Sequence, residues 1–143
     1  MRTIALRFAD NFAPSEGTIC AHNALIKSRG FVFYGKKGAR ISEKARSMVL
    51  DNDEPRILLI HSGAIERYWA YISDIQYAQP EISTFPSYYA GIASSFKTWF
   101  KIIRFERADK NILSKCVVLS SRQLLSDASK YSMSPYFIIE SEE

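Results

Sequence analysis

The stretch from Arg56 to Ile75 constrains the fold of this chain more than any other. Ile57-Leu58-Leu59-Ile60 is apolar at successive positions, the pattern of a strand buried on both faces. A short break at Ser62-Gly63-Ala64 leads into a second run that carries Tyr68, Trp69 and Tyr71 and is more amphipathic. Two strands joined by a tight turn account for both runs. The turn opens with His61-Ser62, which sets two polar side chains at the rim of a core, a position where a ligand can be met.

Upstream, Ile4, Leu6 and Phe8 alternate with Ala5 and Arg7, which predicts a half-buried first strand over Thr3 to Ala9. After the break at Pro14-Ser15-Glu16-Gly17, residues Ile19, His22, Leu25 and Ile26 recur at helical spacing, and Gly30 stands where a helix ends. Phe31 to Tyr34 reads as a second strand. Ser42 is placed to cap a helix over Glu43 to Leu50, with Ala45, Met48 and Val49 inward and Lys44, Arg46 and Ser47 toward water. Beyond the hairpin, Ala78 to Ala93 lacks a clear period and reads as a long loop with one helical turn. Thr98 to Arg107 and Cys116 to Leu119 predict strands, Ser121 to Lys130 a short helix, and Tyr136 to Glu140 a closing strand after the break at Ser132-Met133-Ser134-Pro135.

Strands that cluster after early helices point to an α+β fold: a mixed, mainly antiparallel sheet curled toward a barrel, with helices flanking it. At 143 residues, 47% hydrophobic and 24% charged, the chain has the make-up of one soluble domain spanning residues 1–143. Arg56, His61, Glu66 and Arg67 interrupt its most apolar region, so no stretch is long enough to span a bilayer. Met1 to Arg7 lacks the apolar segment of a secretion signal, and a cytoplasmic location is expected. In that compartment Cys20 and Cys116, far apart in sequence, are expected as buried thiols and not as a disulfide.

Few residues point to catalysis. Cys20, His22, His61 and Cys116 lack the spacing of metal ligands, and Cys20 and His22, two apart on a helix, point to different sides. No Gly-x-Ser-x-Gly elbow, Walker loop or Gly-x-Gly-x-x-Gly run occurs. The expectation is a protein that is not an enzyme and that uses neither metal nor cofactor. Charge points elsewhere. The net charge of +4 favours an anionic partner. Lys36, Lys37, Arg40, Lys44 and Arg46 form one basic cluster, and Lys97, Lys101, Arg104 and Arg107 form another around Trp99 and Phe100. Basic side chains hold phosphates and aromatic faces stack on bases. The same tryptophans serve equally as core residues beneath a solvated basic face.

The run through His61-Ser62-Gly63, the strand at Tyr68-Trp69-Ala70 and the later Trp99-Phe100-Lys101-Ile102 together resemble the PUA-like superfamily, with EVE and ASCH domains nearest. EVE domains carry a similar strand, a Tyr-His-Ser-type turn, a returning strand and a downstream Trp; Ile60 stands here where that pattern has an aromatic. The likeness covers roughly Arg56 to Arg107. It implies a PUA-like pseudobarrel with a pocket for a modified or flipped base of DNA or RNA. By that resemblance His61 and Ser62 line the rim, Trp69 or Trp99 stacks on the base, and Lys36, Lys37 and Arg40, with Lys101 from the second cluster, meet the nucleic acid. The alternative is a protein-interaction module, such as a phage or mobile-element inhibitor of the anti-CRISPR kind docking on a host nucleic-acid enzyme. Tyr88-Tyr89 would then supply its aromatic anchors.

Overall fold

The structure, a computed structural model, describes every residue except Phe12, Gly63, Met133 and Glu143. Strand β1 (Arg2–Phe8), helix α1 (Thr18–Arg29), strand β2 (Val32–Lys36) and helix α2 (Glu43–Leu50) come first. Strands β3 (Arg56–His61), β4 (Arg67–Gln76), β5 (Thr98–Arg107) and β6 (Cys116–Val118) follow, then helix α3 (Leu125–Tyr131) and strand β7 (Tyr136–Ser141). This is the order that hydrophobic patterning predicts. Gly63, in the turn expected at 62–64, and Met133, in the break expected at 132–135, lie outside the described residues.

The strands form one mixed sheet in the order β2-β5-β4-β3-β1-β7-β6. β1 and β3 are parallel, because α1, β2 and α2 intervene and supply the length a crossover needs; the other neighbours are antiparallel. Among the described residues nothing pairs β2 with β6, so hydrogen bonding does not close the sheet into the expected barrel. The sheet is nevertheless strongly curled. The Lys36 ammonium on β2 lies 4.9 Å from the ring centre of Tyr136 on β7, although β5, β4, β3 and β1 stand between them. At ordinary strand spacing a flat sheet would hold β2 and β7 about 24 Å apart.

Both faces of the sheet are covered. On the inner side Ile4, Leu6, Val32, Leu59, Ile72 and Phe100 pack with Ile41, Ala45 and Val49. On the outer side Ala5, Leu58, Trp69 and Tyr71 pack with Ile112, Leu125 and Ala128. β1 is therefore not half-buried as its alternation predicts: Ile4, Ala5 and Leu6 are all buried, because β1 sits between β3 and β7 with cover above and below. Ser42 caps α2, its Oγ accepting from the Ala45 N–H at 3.0 Å. Arg46, expected to face water, instead pins α2 to β4 by donating to the Ile75 carbonyl at 2.6 Å and the Asp74 carboxylate at 3.1 Å. Helix α3 begins later than expected, since Leu124 bridges to Val117 and Arg122 adopts φ 63°, neither compatible with a helix from Ser121. Of the thiols, Cys116 is buried as expected but Cys20 is exposed, and the two do not form a disulfide. No helix among the described residues is long and apolar enough to cross a membrane.

The stretch after β4 forms short 3₁₀ turns at Ile82–Thr84, Ser87–Tyr89 and Ala93–Ser95 in place of a single helical turn. Phe85, Tyr89 and Phe96 from this stretch build a third apolar cluster with Phe33 and Trp99. The backbone at Gly35 passes close beneath it. A methyl group there would come within 2.3 Å of Phe96 Cδ2, and Phe96 is itself wedged against Tyr89 and Trp99. Gly35→Ala is thus expected to lower the unfolding free energy in urea by about 1–3 kcal/mol. Gly91→Ala, which meets nothing within 4 Å, is the control and leaves stability unchanged or slightly raised.

Candidate functional site

Where the curled sheet brings β2 toward β1 and β7, a recess of about 260 Å³ remains. One wall comes from Tyr34, Gly35, Lys36 and Lys37 at the end of β2, a second from Leu6, Arg7 and Phe8 at the end of β1. Tyr88, Tyr89, Ile92 and Phe96 form an aromatic wall, while Thr18, Ser62 and Pro135 complete the rim. A second depression, about 640 Å³, lies between α1 and residues 82–90, and its lining contains no Lys, Arg or His. Of these two depressions among the described residues, the first joins aromatic faces to basic residues and the second does not.

Its aromatic wall is held by a buried polar chain. His22 Nδ1 lies 2.8 Å from the Thr18 carbonyl, which can only accept, so Nδ1 carries the proton. Nε2 is then an acceptor, and the Tyr89 hydroxyl donates to it at 3.0 Å. The Tyr89 oxygen in turn accepts the Gly35 N–H at 3.4 Å. Helix α1, the 3₁₀ turn and β2 are linked through these side chains. Burial pushes the His22 imidazole down to about 4, and burial also raises the Tyr34, Tyr88 and Tyr89 phenols, so all four rings are neutral at neutral pH. Tyr34 is buried, lines the recess, and has no hydrogen-bond partner for its hydroxyl among the described residues. Tyr88, half-buried, meets Tyr89 edge-on at 5.0 Å.

The rim is set by Asp10. Its Oδ1 accepts from the Thr18 N–H at 3.0 Å and the Thr18 hydroxyl at 2.8 Å, and its Oδ2 lies 2.8 Å from His61 Nε2. Burial would raise the Asp10 carboxyl, but the Thr18 hydrogen bonds and the neighbouring His61 outweigh it and hold it below the usual range. The Phe8 ring stacks on His61 at 4.6 Å. The carboxylate, not the imidazole, meets the hydroxyl, the reverse of a hydroxyl–imidazole–carboxylate triad. No group of three or more His, Cys, Asp or Glu placed to hold a metal occurs among the described residues.

Lys36 is only 5% exposed. Its ammonium donates to the Lys37 carbonyl at 3.0 Å and the Ala39 carbonyl at 2.9 Å, and burial lowers its proton affinity. Arg7 Nη2 donates to the Ser129 and Ser132 carbonyls, both at 2.6 Å, and its Nε donates to the Ser134 carbonyl at 3.3 Å. The Arg7 guanidinium, over the Phe137 ring at 5.6 Å, is turned to the outer face, so the cations that share the recess with the aromatic wall are Lys36 and Lys37.

Of the residues that the sequence nominates, Lys36, Lys37 and Ser62 come together at this recess. His61 supports its rim through Phe8 and Asp10. Arg40 stacks over Tyr77 at 4.5 Å and Lys101 over Phe31 at 4.5 Å, and neither lines it. The stacking role read for the tryptophans needs correction. Trp69 is 1% exposed and lies under the Arg56 guanidinium in the outer core, while Trp99 is 0% exposed in the aromatic cluster. A ring must present a free face to stack on a base, and these rings do not. Sequence reasoning missed Asp10, Thr18 and Tyr34 as site residues, and Tyr88-Tyr89 stood out only as a protein-binding anchor.

A family model described as Pua-like matches residues 4–142. Neither a curated protein nor a solved structure matches the chain. The buried imidazole makes the site sensitive to acid. His22 binds its proton near 6.5 when unfolded and near 4 when folded, so below 6.5 the unfolded chain takes up a proton that the fold rejects. Its contribution to stability is complete above pH 6.5 and is lost as pH falls toward 4, by on the order of 3 kcal/mol. Urea unfolding across that range should show the loss in the wild type and a flatter profile in His22→Gln.

Proposed function

This chain belongs to the PUA-like family, and from that premise we propose that it is a non-catalytic nucleic-acid-binding domain which admits one nucleotide of a DNA or RNA strand to the recess. The observation that carries this reading is the pairing, in one cavity, of an aromatic wall with the cations Lys36 and Lys37. In this reading the curled sheet serves as the frame of a pseudobarrel. Tyr88, partly exposed at the recess, is the ring placed to stack on a flipped or modified base, in place of Trp69 and Trp99. The unpartnered Tyr34 hydroxyl and the rim hydroxyls of Thr18 and Ser62 supply polar contacts to its edge. Lys37 and Lys36 draw in phosphate. A recess of about 260 Å³ lies at the small end of ligand sites and suits a single nucleotide, not a stretch of strand.

Fluorescence anisotropy with labelled single- and double-stranded DNA and RNA across a salt series tests it. Binding is expected to weaken steeply with salt. Tyr88→Ala should cost about 1–3 kcal/mol of affinity, and Lys37→Ala should reduce the salt slope by about one. Trp69→Phe and Trp99→Phe, if folded, should bind as the wild type does. Absence of binding to all four nucleic acids at low salt would reject the reading and turn the search toward a protein partner.

A further inference from the structure

The charge lining the recess is one-sided. Lys36 and Lys37 line its β2 wall, and no Asp or Glu is among the lining residues. Arg7 reaches it from β1, but its guanidinium is turned to the outer face, over the Phe137 ring at 5.6 Å. Asp10, close by in the chain, is taken up by Thr18 and His61. Lys36 is withdrawn from water, and its ammonium meets two carbonyl oxygens and the Tyr136 ring, with no carboxylate among the described residues. Carbonyl dipoles orient a cation without neutralising it, and a cation withdrawn from water without a counter-ion is costly. The carbonyls satisfy the Lys36 N–H groups and leave its charge uncompensated.

A nucleotide inside a strand is a poor source of that anion. When its base is flipped into a pocket, its phosphates remain part of the backbone outside, and each diester carries a single charge. A phosphomonoester carries about −1.5 to −2 at neutral pH and offers three acceptor oxygens. Lys36 and Lys37 at the end of β2 and the rings of residues 88–96 line the same recess. That pairing matches a nucleotide whose ring and whose phosphate both enter. We propose that the recess binds a nucleotide through a terminal phosphomonoester, which Lys36 and Lys37 neutralise while Tyr88 holds the base. The inference rests on the nucleotide-binding reading above. Its ligand chemistry has two sources, the phosphorylated end of a strand and a free nucleoside monophosphate.

Titration calorimetry with oligonucleotides of one sequence distinguishes them. The arms carry a 5′-phosphate, a 3′-phosphate, or hydroxyls at both ends, beside the free 5′- and 3′-monophosphates, all at one salt concentration. One phosphorylated end is expected to bind at least about tenfold tighter than the hydroxyl-ended strand. Lys36→Met, shown to be folded by its thermal melt, should reduce that preference to less than about threefold. If the variant does not fold, the wild-type comparison decides alone. Equal binding of phosphorylated and hydroxyl-ended strands would overturn the inference and leave strand binding standing. Binding of a free monophosphate with no binding of any strand would uphold the phosphomonoester and overturn the polymer. No binding in any arm would overturn both.

Discussion

A buried phenol has to find hydrogen bonds, and the site depends on how Tyr89 finds them. Its hydroxyl lies between His22 on α1 and the Gly35 amide on β2. Three segments distant in sequence are thereby held in one geometry, with donor and acceptor roles dictated by the Thr18 carbonyl at the far side of the imidazole. Were His22 to take a second proton, it would lose the lone pair that receives the Tyr89 proton. Neutrality of the histidine and position of the aromatic wall are one condition. Gly35 belongs to the same arrangement, because only a residue without a side chain lets β2 approach Phe96 and present its amide to Tyr89.

The two sides of the recess are built by opposite means. The aromatic side is a neutral, closely packed cluster. The cationic side relies on backbone carbonyls, offered to Lys36 by Lys37 and Ala39, as Ser129, Ser132 and Ser134 offer theirs to Arg7 on the outer face. Carbonyls satisfy the N–H groups and so permit burial, yet they leave the positive charge in place. An arginine or lysine paired with a carboxylate would be more comfortable in the free protein and less available to an anion. Arg104, by contrast, meets Glu54 and Glu106, and Arg46 meets Asp74.

Much of the architecture was legible along the chain. Ile57 to Ile60 announced a doubly buried strand, Ser42 a cap, Gly30 a stop, and the order of helices and strands followed. The errors came where neighbours in space overrode local pattern. β1 alternates like a half-exposed strand but is covered on both faces. Leu124 reads as helical but bridges to Val117. The tryptophans illustrate the point for the site. Trp69 and Trp99 have the composition of base-stacking residues, whereas Tyr88, in an aperiodic loop, is the half-buried ring that lines the cavity.

By itself, then, the sequence determined the alternation of apolar and polar residues, hence the elements, their order, the α+β class and the excess of basic residues near β2. It also carried the resemblance that the match over residues 4–142 bears out. Only the tertiary structure decided which rings are sealed in a core and which line a cavity, because periodicity says that a face is covered but not by what. It alone decided that Arg7 and Lys36 meet carbonyls and not carboxylates. That choice depends on the curl of the sheet, which brings β2 beside β7 across strands that no local pattern relates.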